Sequence, residues 1–128
     1  MQIPPPTPAA VRAFESLASL AKGCEVRKMF GQPVAFVGGQ MAFGVYGSEV
    51  FFRLSEADQA VATERDGAHP FEPMPGRPMR EYVILPLKIL ADPRKGPEWV
   101  ARCAAYTASR PKKAPKRSAK SSPARRKI

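Results

Sequence analysis

Apolar residues recur at helical spacing near the start of the chain and at every second position soon afterwards. Thr7 followed by Pro8 reads as an N-cap with proline at the first helical position. At about 100° per residue, Val11, Leu20, Ala13, Leu17, Ala10, Ala21, Phe14 and Ala18 fill one arc. Arg12, Glu15, Ser16, Ser19 and Lys22 fill the other. Gly23 supplies a stop. The pattern predicts an amphipathic helix lying on a core.

Alternation with period two takes over after it. Gly38-Gly39 and Gly47-Ser48 are two-residue hairpin signals, because they tolerate the positive φ that tight turns demand. Taken literally, these turns pair Val37 with Gln40 and Tyr46 with Glu49. Phe36 then opposes Met41, Val34 opposes Phe43, Val45 opposes Val50, Phe43 opposes Phe52, and Met41 opposes Leu54. All of those apolar residues fall on one face, which a wrong register would not allow. A three-stranded antiparallel meander follows, with a further strand expected at roughly residues 25–30. The opposite face carries Ala35, Val37, Ala42, Gly44, Tyr46, Glu49, Phe51 and Arg53 and is expected to lack a helical cover. Tyr46 and Phe51, aromatics beside small residues, are the candidate protein-interaction or homodimer surface. The alternative is a face simply open to water.

Ser55 with Asp58 approximates a capping box and opens a short helix through about Arg65, closed by Gly67. Its acids Glu56, Asp58, Glu64 and Asp66 read as a solvated surface. Residues 68–78 hold Pro70, Pro73, Pro75 and Pro78 and read as an irregular loop. Residues 81–85 form a buried strand stopped by Pro86, and a turn of helix around Leu87–Leu90 follows. Asp92-Pro93 and Gly96-Pro97 are both helix starts, the second with Trp99, Val100, Cys103, Ala104 and Tyr106 on one side. The order predicts an α+β fold: two layers, an antiparallel sheet with helices on one face.

Charge changes the picture at the C-terminal end. Residues 1–109 hold 12 basic and all 11 acidic side chains, a balance of +1, whereas residues 110–128 hold nine basic and no acidic ones. Those nine are Arg110, Lys112, Lys113, Lys116, Arg117, Lys120, Arg125, Arg126 and Lys127. With Pro111, Pro115 and Pro123 among them and little apolar surface to bury, this segment is expected to be a disordered tail. A flexible polycation binds nucleic acid by releasing counterions, without reading sequence. The alternative is an extension that only aids solubility. The expected division is a domain over 1–109, with a proline-rich extended lead-in at 1–6, and a basic tail over 110–128.

Candidate chemistry is sparse. The one histidine, His69, sits in the proline-rich loop near Glu72, and a small-molecule enzyme built on that pair is the least favoured reading. Cys24 and Cys103 stand alone, without a metal quartet or a CxxC pair. No nucleophile elbow or phosphate loop occurs. No enzyme, cofactor or metal is expected. No run approaches the ~20 apolar residues of a membrane helix, and Met1–Pro6 has no signal-peptide character. With only two cysteines, a cytoplasmic setting is expected, nucleoid association being open.

From Arg27 onward the sequence resembles the N-terminal domain of the TfoX/Sxy family, bacterial proteins linked to competence regulation. The residues that carry the likeness are Arg27-Lys28-Met29-Phe30-Gly31, Met41-Ala42-Phe43-Gly44 and Val50-Phe51-Phe52-Arg53. Gly67 with Pro70-Phe71 and the run Met79-Arg80-Glu81-Tyr82-Val83-Ile84-Leu85-Pro86 complete it. The likeness spans roughly residues 10–108, and Gln32 stands where the family often has a second glycine. It implies a two-layer α+β fold similar to that of secretion chaperones and a non-enzymatic regulatory or adaptor role. Full-length competence regulators of the family carry a second, helical domain and act beside the cyclic-AMP receptor protein at promoters; the basic tail stands in that place here. The expectation is therefore a regulator or adaptor, in transcription or competence, with an unidentified protein partner and nonspecific DNA or RNA contacts through the tail. The alternative is a protein-interaction adaptor whose tail only aids solubility.

Overall fold

Thr7 caps the first helix as its position predicts, its hydroxyl accepting from Ala10 N at 3.2 Å. In the computed structural model, residues 4–73, 76 and 78–110 are described. The elements in chain order are α1 (Pro8–Ala18), β1 (Glu25–Met29), β2 (Gln32–Val37), β3 (Gln40–Tyr46), β4 (Glu49–Arg53), α2 (Glu56–Asp66), β5 (His69–Pro70), β6 (Tyr82–Leu85), α3 (Leu87–Leu90) and α4 (Lys95–Ser109). The strands form one antiparallel sheet in the order β1-β2-β3-β4-β6-β5. The expected tail residues from Pro111 to Ile128, Lys112 through Lys127 included, lie outside the described residues, as do Met1–Ile3 of the lead-in.

One face of the sheet carries the main core. Ala10, Phe14 and Leu17 of α1 and Trp99, Val100 and Cys103 of α4 pack there against Ala35, Phe43, Val45, Val50, Phe52, Val83 and Leu85. Phe43 lies between Phe14 (5.5 Å, tilted) and Phe52 (5.3 Å, stacked), a geometry that adds to area burial. The α+β architecture with helices on one face is as the pattern predicts.

Two expectations fail locally. Leu20 is 53% exposed, because α1 ends at Ala18 and the chain continues in tight turns (Leu20 N to Leu17 O, 3.0 Å) to Gly23, so the 100° pitch no longer applies. The β2–β3 register also shifts: Val34 faces Gly44 and Ala35 faces Phe43, while Phe36 still faces Met41. The extra residue, Ala42, is a β-bulge that inverts the phase of the strand beyond it. Ala35, Val37 and Ala42 therefore join the helix-side core, and Val34, Phe36 and Met41 go to the other face.

Gly38 and Gly39 take φ of 59° and 81°, and Phe30-Gly31 makes a similar tight turn between β1 and β2 with φ of 55° and 80°. Ser55 and Gly67 bound α2 as predicted, Ser55 Oγ accepting from Asp58 N at 3.1 Å and Gly67 adopting φ 75°. The loop after Gly67 is not wholly irregular, since His69 and Pro70 pair with Ile84 and Val83. The lead-in is tied down by Gln32. Its buried amide donates to Pro4 O at 3.1 Å and accepts from Gly47 N at 2.6 Å.

Candidate interaction surface

The sheet face away from the helices gathers the candidate aromatics. Val34, Phe51 and Ile84 form a second cluster with Phe71, bordered by Phe36, Met41, Tyr46, Met79 and Tyr82. Phe71, from the loop after β5, stacks on Phe51 at 4.7 Å with an interplanar angle of 6°. Tyr46 meets the edge of Phe71 at 5.3 Å, and Tyr82 meets Phe51 at 5.7 Å. A loop covers the face where a helix does not. Tyr46 stays half-buried at its border, whereas Phe51 is 3% exposed beneath Phe71.

Gly44 makes this stacking possible. A side chain there would come within 2.8 Å of Val34 Cγ2 and 3.0 Å of the Phe51 ring. Beside the cluster runs an apolar groove of about 310 Å³, lined by Met29, Phe30, Met41, Tyr46, Phe71 and Met79 among others. Methionine side chains adapt to irregular apolar partners. Phe30 is 79% exposed with a left-handed φ of 55°, uncommon for a bulky residue. The sequence reading missed Phe30, Phe71 and Met79 at this surface. A dipeptide ending in glycine between two alternating runs was the available signal for the Phe30-Gly31 turn; Phe71 and Met79 had none, because they come from a loop.

The tyrosine and arginine at the sheet's end are held firmly. Tyr82 donates to Met41 O at 2.9 Å, and burial pushes its phenol up to about 12. Arg53 pairs with Glu81 and donates to Gln40 Oε1 at 3.1 Å. Of the nine candidate nucleic-acid contacts only Arg110 is described. It is exposed after α4, stacks over Tyr106 at 5.4 Å and approaches Glu81 at 4.0 Å.

His69 does not converge with Glu72. Its Nε2 lies 3.7 Å from Glu49 Oε2, while Glu72 Oε2 accepts from Gly76 N at 2.8 Å. Cys103 is buried, donates to Ala42 O at 3.2 Å, and has its thiol pushed up to about 12 by burial. Among the described residues no group of three or more His, Cys, Asp or Glu side chains is placed to hold a metal ion, and no helix is long and apolar enough to cross a membrane.

Asp66 departs from the solvated-face reading. Its carboxylate is buried and accepts from Lys95 Nζ at 2.9 Å, Trp99 Nε1 at 2.8 Å and Arg65 at 3.1 Å. Burial pushes this group up, but the three hydrogen bonds outweigh burial and hold it below the ordinary carboxylate range. Arg65 and Arg102 sit over the Trp99 ring at 5.3 and 5.4 Å, with Glu98 bonded to both. This network fastens α2 to α4 and leaves its charges satisfied. It is structural.

The molecule is thus an open α+β sheet domain with helices on one face and an aromatic, methionine-bordered cap on the other. The chain belongs to the TfoX N-terminal domain family, whose model matches residues 15–106. Comparison with curated proteins and with solved structures gives no match. The family is in general non-enzymatic, and membership suggests a regulatory or adaptor role.

Proposed function

We propose that this chain is a non-catalytic cytoplasmic regulator or adaptor, acting in transcription or competence, in which the folded body contacts a protein and the basic segment binds nucleic-acid phosphates without reading sequence. The charge partition carries the reading: the body is close to neutral, while nine cationic side chains follow one another from Arg110 to Lys127 with no acid among them. Binding of this kind depends steeply on salt. With about six to nine phosphates neutralised on duplex DNA, log K falls against log salt with a slope of roughly −5 to −8. The test is a salt-titrated DNA-binding assay on the full chain and on residues 1–109. A slope near zero, or undiminished binding by the shorter chain, removes the segment from the mechanism.

The apolar groove beside Tyr46 favours a second reading, a protein-interaction adaptor whose basic segment only aids solubility. Under it, residues 1–109 retain a protein partner in a pull-down after nuclease treatment, and Tyr46→Ala loses that partner.

A further inference from the structure

The sheet has two edges, and they are unlike. β5 is two residues long and ends in Pro70, so it offers little to pair with. β1 is five residues long, without proline, and its pairing with β2 has no bulge. All five of its residues are exposed, including Val26 at 51% and Met29 at 38%. α1 packs mainly over β2, β3 and β4, and meets β1 along a groove lined by Phe14, Ala18, Val26 and Lys28 that leaves the strand's residues exposed. Among the described residues nothing pairs with its outer side, which leaves a row of unpartnered backbone donors and acceptors.

The side chains on this edge follow an order that suits one occupant. Glu25 and Arg27 point to the face of Phe36 and Val34, and Val26 and Lys28 to the face of Ala35. Arg27 is held in place by Glu25 at 2.8 Å and by the Phe36 ring at 5.0 Å. A second copy of β1 laid antiparallel about a two-fold axis through Val26 sets Val26 against the partner's Val26. The same axis sets Glu25 against the partner's Arg27, and Arg27 against the partner's Glu25. Opposite charges directly across two strands attract, and like charges repel. Moving the axis by one residue puts Arg27 against the partner's Arg27, so the charges select the register as well as the partner.

We propose that β1 is a self-association edge, through which two copies of this chain join their sheets into one antiparallel sheet centred on Val26. The contact is small, below the about 1,200 Å² of stable complexes, so the dimer is a weak one. It adjoins the groove beside Tyr46 at Met29, which ends β1 and lines that groove, and it does not depend on nucleic acid. Its consequence is two basic segments on one particle, which raises avidity for a shared polyanion without any new contact.

The test is sedimentation equilibrium of the full chain, free of nucleic acid, at low salt and up to about 500 μM, a range that captures weak association. The expected result is a monomer–dimer equilibrium weakened by added salt. Glu25→Arg and Arg27→Glu each convert two attractive cross-strand pairs into repulsive ones and weaken the dimer roughly tenfold. Combining them restores it. In a Cys24→Ser background, Val26→Cys forms an intermolecular disulfide on mild oxidation because opposed strand residues lie within disulfide reach, whereas Lys28→Cys does not. Thermal melts of each variant confirm that the exposed substitutions leave the fold intact. A chain that stays monomeric across the range, or a dimer indifferent to either single charge reversal, overturns the proposal.

Discussion

The carboxylate of Asp66, at the last residue of α2, accepts a hydrogen bond of 2.8 Å from the indole of Trp99 in the second turn of α4. Two helices separated by the whole proline-rich loop and β6 are joined by that contact. Trp99 is fully buried, so its N–H has no water to turn to. Asp66→Ala is expected to lower stability by about 3 kcal/mol, because it orphans the indole N–H and leaves Lys95 without its partner. The urea midpoint of the variant against the parent chain measures it.

The same carboxyl makes stability depend on pH. Its folded value lies below its unfolded one, which is near the ordinary 3.8. A depressed acid contributes its full share above the unfolded value and loses it as pH falls through the folded value. The urea midpoint is therefore expected to lose this contribution below about pH 4. Asp66→Asn flattens that part of the profile. A variant whose midpoint falls as steeply as the parent's, from pH 5 to pH 2, contradicts the assignment.

Gly44 is small because Val34 and Phe51 need the space. Its substitution by alanine brings a Cβ within 2.8 Å of Val34 Cγ2. The expected cost is about 1–3 kcal/mol, the range for overpacking. Thermal unfolding reads it, and a melting temperature equal to the parent's counts against the tight packing of β3 on β2.

Phe71 is the lid of the second cluster. Phe71→Ala removes the ring stacked on Phe51 and is expected to destabilise the chain by about 3–5 kcal/mol. Because the lid comes from a loop and no helix takes its place, the native variant also binds a fluorescent apolar dye more strongly than the parent.

Cys103 is expected to resist thiol reagents. With its thiol pushed up to about 12 by burial, almost no thiolate forms at pH 8. A colorimetric thiol titration of the native chain counts one fast-reacting cysteine, Cys24, and counts both after denaturation. Two fast thiols in the native chain mean that α4 opens from the sheet.

Local patterns carried much of the fold. Thr7-Pro8, Ser55 and Gly67, and the glycine pairs at residues 38 and 39, act on their nearest neighbours through caps and positive φ, so their effect is legible in order along the chain. The family likeness reached the same architecture from residues 27–86. The face of each strand was less legible. One bulged residue, Ala42, sent Val34, Phe36 and Met41 to the face opposite the expected one, and nothing in the local alternation marks where such an insertion falls. Asp66 read as solvated because its partners Lys95 and Trp99 lie about thirty residues away.

The sequence by itself determined the kinds of element, the turns that join them and the separation of a neutral body from a cationic segment, since each depends on composition or on residues a few positions apart. Tertiary structure alone decided that Phe71 covers Phe51, that Asp66 is buried among cations, and that β1 remains an unpaired edge among the described residues. Those outcomes turn on which distant surfaces meet and exclude water, and a linear pattern of apolar and polar positions does not encode that meeting.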